Sequence, residues 1–98
     1  MKPALSLRPV AAAEIQDAFR WYEQQRKGLG EEFLQALREA FSAIEANPAQ
    51  YPRIRGEIRR ALLRRFPYAV LYLAESDKAI VLGCFHSKRD PARWHSRR

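Results

Sequence analysis

The stretch FPYAVLYLAESDKAIVLGCFHSKRDPARW, residues 66–94, decides how the chain folds. Tyr68–Ala74 and Ala79–Phe85 are nearly continuous apolar runs rich in aromatic and branched side chains. The polar ESDK between them is a turn. Runs of this length and composition fit central strands covered on at least one face. The last strand then empties into a basic end that holds His86, Lys88, Arg89 and Arg93. DPARW reads as a terminal turn or a single helical turn, because Pro91 suits a first helical position.

Upstream, EIRRALLRRF alternates imperfectly: Ile58, Leu62 and Phe66 share parity with Arg60 and Arg64. It is expected as a strand over 58–66, with a bulge as the source of the irregularity. A helical reading stays open because its apolar residues recur every four positions. Gly56 before it and Pro67 after it favour the strand. NPAQYPRIRG reads as an ordered loop.

The first half follows a different period. Ile15, Ala18, Phe19 and Tyr22 recur at three- and four-residue steps, and so do Phe33, Leu37, Ala40, Phe41 and Ile44. Each set lines one helical face, and each stripe is read as core packing. Helices are expected over about 11–27 and 30–46, broken by Gly28 and Gly30 and stopped at Asn47-Pro48. A short strand, Ala4–Arg8, precedes them. The expected fold is α+β: a two-helix hairpin on one face of a four-stranded antiparallel sheet, in the order β-α-α-β-β-β, with the first strand beside the last. Core positions are expected at Ile15, Phe19, Phe33, Leu37, Phe41, Val70, Tyr72, Val81 and Phe85.

At 98 residues the chain is one domain, 1–98. With 47% hydrophobic and 30% charged residues it is globular rather than disordered. Its net charge of +7 is uneven. Residues 14–45 carry seven acids against four bases, whereas 53–98 carry twelve bases against four acids. A basic half points to an acidic protein or a nucleic acid as partner. The lone cysteine, Cys84, sits within an apolar run and reads as a small buried hydrophobe. Single-cysteine usage fits a reducing compartment. No apolar run is long enough for a signal peptide or a membrane span, so a cytoplasmic protein with no membrane partner is expected.

Two basic clusters stand out. One is Arg53, Arg55, Arg59, Arg60, Arg64 and Arg65; the other is Lys88, Arg89, Arg93, Arg97 and Arg98. Arginine forks suit phosphates and carboxylates. Tyr68 and Trp94 offer stacking surfaces for bases, although a core Tyr68 and a Trp94 that caps the sheet are the simpler readings. A metal-free ribonuclease needs an acid, a base and cations around the phosphate. His86 and Glu57 could form such a pair, yet a histidine at a strand end is more often structural. No glycine-rich phosphate loop, zinc spacing or nucleophile elbow is present, and no cofactor or metal is expected.

IRRALLRRFPYAVLYLAESDKAIVLGCFHSKRDPARW, together with the order of elements, resembles the RelE/ParE superfamily of type II toxin–antitoxin toxins. The FPY…Y run, the short polar turn and the closing HSKRDPARW resemble its ParE-like, plasmid-stabilisation branch. The resemblance spans nearly the whole chain and is most specific from Ile58 to Trp94. It implies a small cytoplasmic bacterial toxin that is neutralised by a cognate acidic antitoxin, in a toxin–antitoxin hetero-oligomer. Superfamily members either poison DNA gyrase or cut mRNA on the ribosome.

RelE-type ribonucleases place lysines on the strand before the central hairpin, where this chain has Ala61 and Leu63. They place an arginine after the tyrosine that opens the next strand, where it has Ala69. Arg89 is retained, and Trp94 replaces a late tyrosine. The resemblance therefore implies gyrase inhibition first and endoribonuclease activity second. For the ribonuclease the catalytic candidates are His86, Arg89, Arg59 and Arg65. Target- or antitoxin-binding candidates are Arg60, Arg64, Lys88, Arg93 and Trp94. An inactive homologue and a plain basic nucleic-acid-binding module are the remaining alternatives.

Overall fold

The computed structural model describes residues 4–88. Arg89, Arg93, Trp94 and the expected DPARW turn lie outside the described residues. The elements are β1 (Ala4–Leu7), α1 (Pro9–Gln25), α2 (Leu29–Ala46), β2 (Arg53–Arg55), β3 (Ile58–Leu62), β4 (Tyr68–Glu75) and β5 (Lys78–His86). A 3-10 turn over Pro48–Gln50 joins α2 to β2.

The strands form one sheet in the order β1-β5-β4-β3-β2. The α+β architecture, the two-helix hairpin and the placement of the first strand beside the last follow expectation. The sheet has five strands, however, not four, and β1 runs parallel to β5. These two differences have one origin. Each successive element reverses the chain, so one extra strand between the helices and β5 flips the sense in which β5 meets β1. The extra strand, β2, is three residues long, and the sequence reads as loop there because Pro48 and Pro52 stand just before it.

β3 ends at Leu62 rather than Phe66. Arg65 adopts a left-handed φ of 71° in the turn that follows, a conformation costly for a residue with a Cβ. Its guanidinium is anchored on Glu32 of α2 at 2.8 Å and lies 5.5 Å from the Phe66 ring centre. A bulge does occur, but in β5: Leu71 pairs with Gly83 and Tyr72 with Val81, which leaves Leu82 as the extra residue.

Gly28 takes a φ of 91° in the turn between the helices, where a side chain is strained. Gly30 does not break a helix; it lies within the first turn of α2. There a Cβ would stand 2.8 Å from the Phe19 ring, so glycine lets the two helices approach.

The main core lies between the helices and one sheet face. It joins Tyr22, Phe33, Leu37 and Ile44 to Ala61, Tyr68, Val70, Tyr72, Val81 and Cys84. Tyr22, Phe33, Phe66 and Tyr68 interlock as an aromatic group with ring centres 4.9–5.9 Å apart, the offset and edge-on spacing that rings prefer. A second cluster, Ile58, Leu71, Leu73, Leu82 and Phe85, includes no helical residue. By strand alternation it occupies the other sheet face. Six of the nine expected core residues are buried, Phe85 on that second face. Ile15, Phe19 and Phe41 are only half-buried, because they lie on the flanks of their helical stripes.

Candidate partner-binding groove and its basic edge

A groove of about 360 Å³ runs between α2 and the edge of the sheet, lined by Ala36, Glu39, Ala40, Ala43, Tyr51, Leu62 and Arg64. The small side chains of α2 leave its floor open. Leu62 is 55% exposed, unusual for a leucine on a strand.

The Tyr51 wall is held from three sides. Arg59 Nη1 donates to the Tyr51 carbonyl at 2.6 Å and to the Ala49 carbonyl at 3.2 Å. The Tyr72 hydroxyl donates to the Pro48 carbonyl at 2.5 Å. Gln50 Nε2 reaches the Ala43 and Asn47 carbonyls at 2.7 and 3.2 Å. Tyr51 and Tyr72 meet edge to face at 6.4 Å. Burial pushes the Tyr72 phenol up to about 12, so it stays a protonated donor at neutral pH. A loop with this many internal bonds presents a preformed surface.

The candidate residues fall in different places. Arg59 is committed to the loop carbonyls. Arg65 is committed to Glu32, which also binds Arg26 at 3.1 Å. The Arg65 and Arg26 hydrogen bonds hold the Glu32 carboxyl below its ordinary range. Arg60 is half-buried on β3, and Arg64 is exposed on the groove wall. Lys88 is exposed just past β5, and its backbone N–H donates to His86 Nδ1 at 3.1 Å. That bond places the neutral imidazole proton on Nε2. The His86 ring stands edge-on to Tyr68 at 5.4 Å.

The arrangement does not gather Arg59 or Glu57 around His86. His86 pairs with Tyr68, whereas Arg59 pairs with Tyr72 on the far side of β4. Four residues along a strand separate them by roughly 13 Å before any sideways offset. Glu57 lies farther still, in the β2–β3 turn, paired with Arg53 at 3.3 Å. Tyr68 is a core residue, as the simpler reading had it. Tyr51 and Leu62, which line the groove, are not among the residues the sequence singles out; the one signal for them is Leu62 lying between Arg60 and Arg64, a pattern that reads as an irregular strand. Glu32 was missed because a single acid in a helix carries no spacing motif.

Among the described residues no group of three or more His, Cys, Asp or Glu could hold a metal ion. No helix among them is long and apolar enough to cross a membrane.

Two helices laid on a five-stranded mixed sheet define an α+β fold. A structure titled as the chromosomal ParDE TA system from P. aeruginosa superposes with a TM-score of 0.76 at 16% identity, over 87% of this chain and 96% of that one. A family model described as "ParE toxin of type II toxin-antitoxin system, parDE" matches residues 5–91. The chain belongs to this ParE toxin family. No curated protein matches it.

Proposed function

We propose that the chain is a cytoplasmic toxin that inhibits DNA gyrase, arrests growth when unopposed, and is neutralised by a cognate acidic antitoxin bound along the α2 groove and the basic sheet edge. Family membership supports the toxin reading. One observation favours gyrase over RNA as the target. The positions where a RelE-type ribonuclease would carry cations are interior and apolar here: Ala61 is 0%, Leu63 7% and Ala69 2% exposed. Phosphoryl transfer on RNA needs charge placed at the phosphate, and the loss of one such group costs about 10²–10³ in rate. Arg59 and Arg65, which could have substituted, are bound to loop carbonyls and to Glu32.

The groove supports the antitoxin reading. It is apolar at its floor, bordered by Arg64, and belongs to a half of the chain with excess positive charge. A disordered acidic segment that folds as it binds can follow such a surface.

Two assays on purified protein test the target: gyrase supercoiling with trapped cleavage complexes, and cleavage of ribosome-bound mRNA. Inhibition of gyrase without RNA cleavage is expected. Codon-dependent cleavage that vanishes in His86→Ala, with gyrase unaffected, reverses the assignment. Silence in both assays from a folded, antitoxin-binding chain marks an inactive homologue.

A further inference from the structure

The turn between β3 and β4 is pinned at two buried residues and strained between them. Leu63 and Phe66 are buried, and Arg64 and Arg65 between them are exposed. Leu63 N–H donates to the Tyr68 carbonyl at 2.9 Å, and Tyr68 N–H donates to the Phe66 carbonyl at 2.8 Å. Arg65 turns the chain with a φ of 71° and is the one non-glycine with a positive φ among the described residues. A backbone held in such a region persists where its surroundings over-determine it. Its side chain shows what does so here: the Glu32 carboxylate at 2.8 Å and the Phe66 ring centre at 5.5 Å.

Glu32 occupies the groove stripe of α2. Ala36, Glu39, Ala40 and Ala43 line the groove, and Glu32 precedes Ala36 on the same helical face by one turn. Arg64 lines the groove from the sheet side, and Arg65 is its neighbour in the chain. The Glu32–Arg65 pair therefore ties the two walls together one turn beyond Ala36. Arg64 makes no ion pair among the described residues, so its place on the wall is set by the backbone that bends at Arg65. The paired side chains are 66% and 36% exposed. A pair that open adds little to global stability, and its effect is local: it selects the conformation of the turn.

We propose that Glu32 is a positioning residue of the groove: acting through Arg65, it holds the left-handed turn that sets Arg64 on the groove wall, and it does so without touching the partner. This role rests on the reading of the groove as the antitoxin-binding surface. A residue with a Cβ leaves the left-handed region readily once its anchor is gone, and only the fraction of molecules in the binding conformation counts toward affinity. Glycine occupies the same region without an anchor. Position 65 therefore separates the turn from the charge: alanine and glycine there both remove the guanidinium, and glycine alone keeps the turn.

Calorimetric titration of the purified chain with the antitoxin encoded beside it tests the role. Glu32→Ala makes the face more positive, which by charge alone favours an acidic partner. Positioning gives the opposite sign, an affinity lower by about threefold to fivefold, the reach of an exposed ion pair. Arg65→Ala weakens binding likewise, Arg65→Gly binds more tightly than Arg65→Ala, and adding Glu32→Ala to Arg65→Gly weakens it no further. Arg26→Ala, which removes the other partner of Glu32, leaves the affinity unchanged. Parental or higher affinity in Glu32→Ala overturns the proposal, and so does Arg65→Gly as weak as Arg65→Ala, which would make the Arg65 charge itself the contact. Hydrogen exchange on the free protein separates this role from the antitoxin reading. The Leu63 and Tyr68 amides, which close the turn, exchange faster in Glu32→Ala and Arg65→Ala than in the parent and Arg65→Gly. Where they do so but the parent binds no antitoxin, the antitoxin reading falls and takes the positioning role with it. Where every variant binds the antitoxin equally, the antitoxin reading stands and the positioning role falls.

Discussion

The carboxylate of Glu14, in the second turn of α1, accepts the backbone N–H of Cys84 in β5 at 3.0 Å. The two residues are 70 apart in sequence. Cys84 lies just past the bulge at Leu82, where the β4–β5 ladder changes register. A helix side chain thus supplies an acceptor where the sheet ladder is irregular. Glu14→Ala leaves a buried amide without this acceptor and is expected to destabilise the fold by about 1–3 kcal/mol. Glu14→Gln, which keeps a carbonyl oxygen, is expected to recover most of that. Urea denaturation with an unchanged slope checks both.

That contact also marks the limit of what the sequence tells. The two apolar runs from Tyr68 to Phe85 announce central strands, because burial on both faces leaves no polar alternation. The helix stripes are equally plain, because Phe33, Leu37 and Ile44 repeat with the helical period. β2 was hidden because two prolines mask a three-residue strand whose identity depends on pairing with β3. The parallel sense of β1 was hidden with it. The groove escaped notice because Ala36, Ala40 and Ala43 look like core until the spacing between α2 and the sheet is known. Arg59 and Arg65 looked like phosphate ligands because sequence does not reveal that carbonyls and Glu32 already hold them.

Glu23 clasps the turn between the helices. Its two carboxylate oxygens accept the Gly28 and Gly30 amides at 2.9 and 3.0 Å. These amides belong to the otherwise unpaired start of α2. Glu23→Ala is expected to cost about 1–2 kcal/mol, the range for a lost helix cap. Gly30→Ala is expected to cost about 1–3 kcal/mol, since the new methyl meets the Phe19 ring and the Glu23 carboxylate. Thermal unfolding of each variant against the parent gives the comparison. A Gly30→Ala protein as stable as the parent contradicts the close helix approach.

Alkaline pH is expected to unfold the chain through two buried acids. Burial raises the Cys84 thiol from 9.0 to about 12, with the Glu14 carboxylate adding to it. Burial raises the Tyr72 phenol from 10.0 to about 12. Both groups bind their protons more tightly folded than unfolded. Their contribution is therefore fully present below pH 9 and is lost as pH rises from 9 toward 12. Tyr72→Phe is expected to flatten the upper part of that loss while removing the Pro48 bond at neutral pH, worth about 1 kcal/mol. Cys84 is also expected to resist iodoacetamide in the native protein at pH 8 and to react on unfolding, because the thiolate is the nucleophile. Rapid native-state alkylation would show that the thiol is neither buried nor raised.

Charge on the second half of the chain is expected to set how fast an acidic antitoxin arrives. Twelve bases against four acids in residues 53–98 give a net positive field, and complementary fields raise association rates more than they slow dissociation. Several of these bases are already paired: Arg53 with Glu57, Arg65 with Glu32 and Lys78 with Glu75. Among the described residues Arg60 and Arg64 make no ion pair, so the double reversal Arg60→Glu/Arg64→Glu should lower the rate more than reversal of Arg53. Raising salt from about 0.01 to 1 M shortens the screening length from about 30 to 3 Å and should erase most of the difference between the variants. Stopped-flow mixing at several ionic strengths reads this directly. A wild-type rate that stays level across the salt series excludes steering by this surface, even where the final complex is tight.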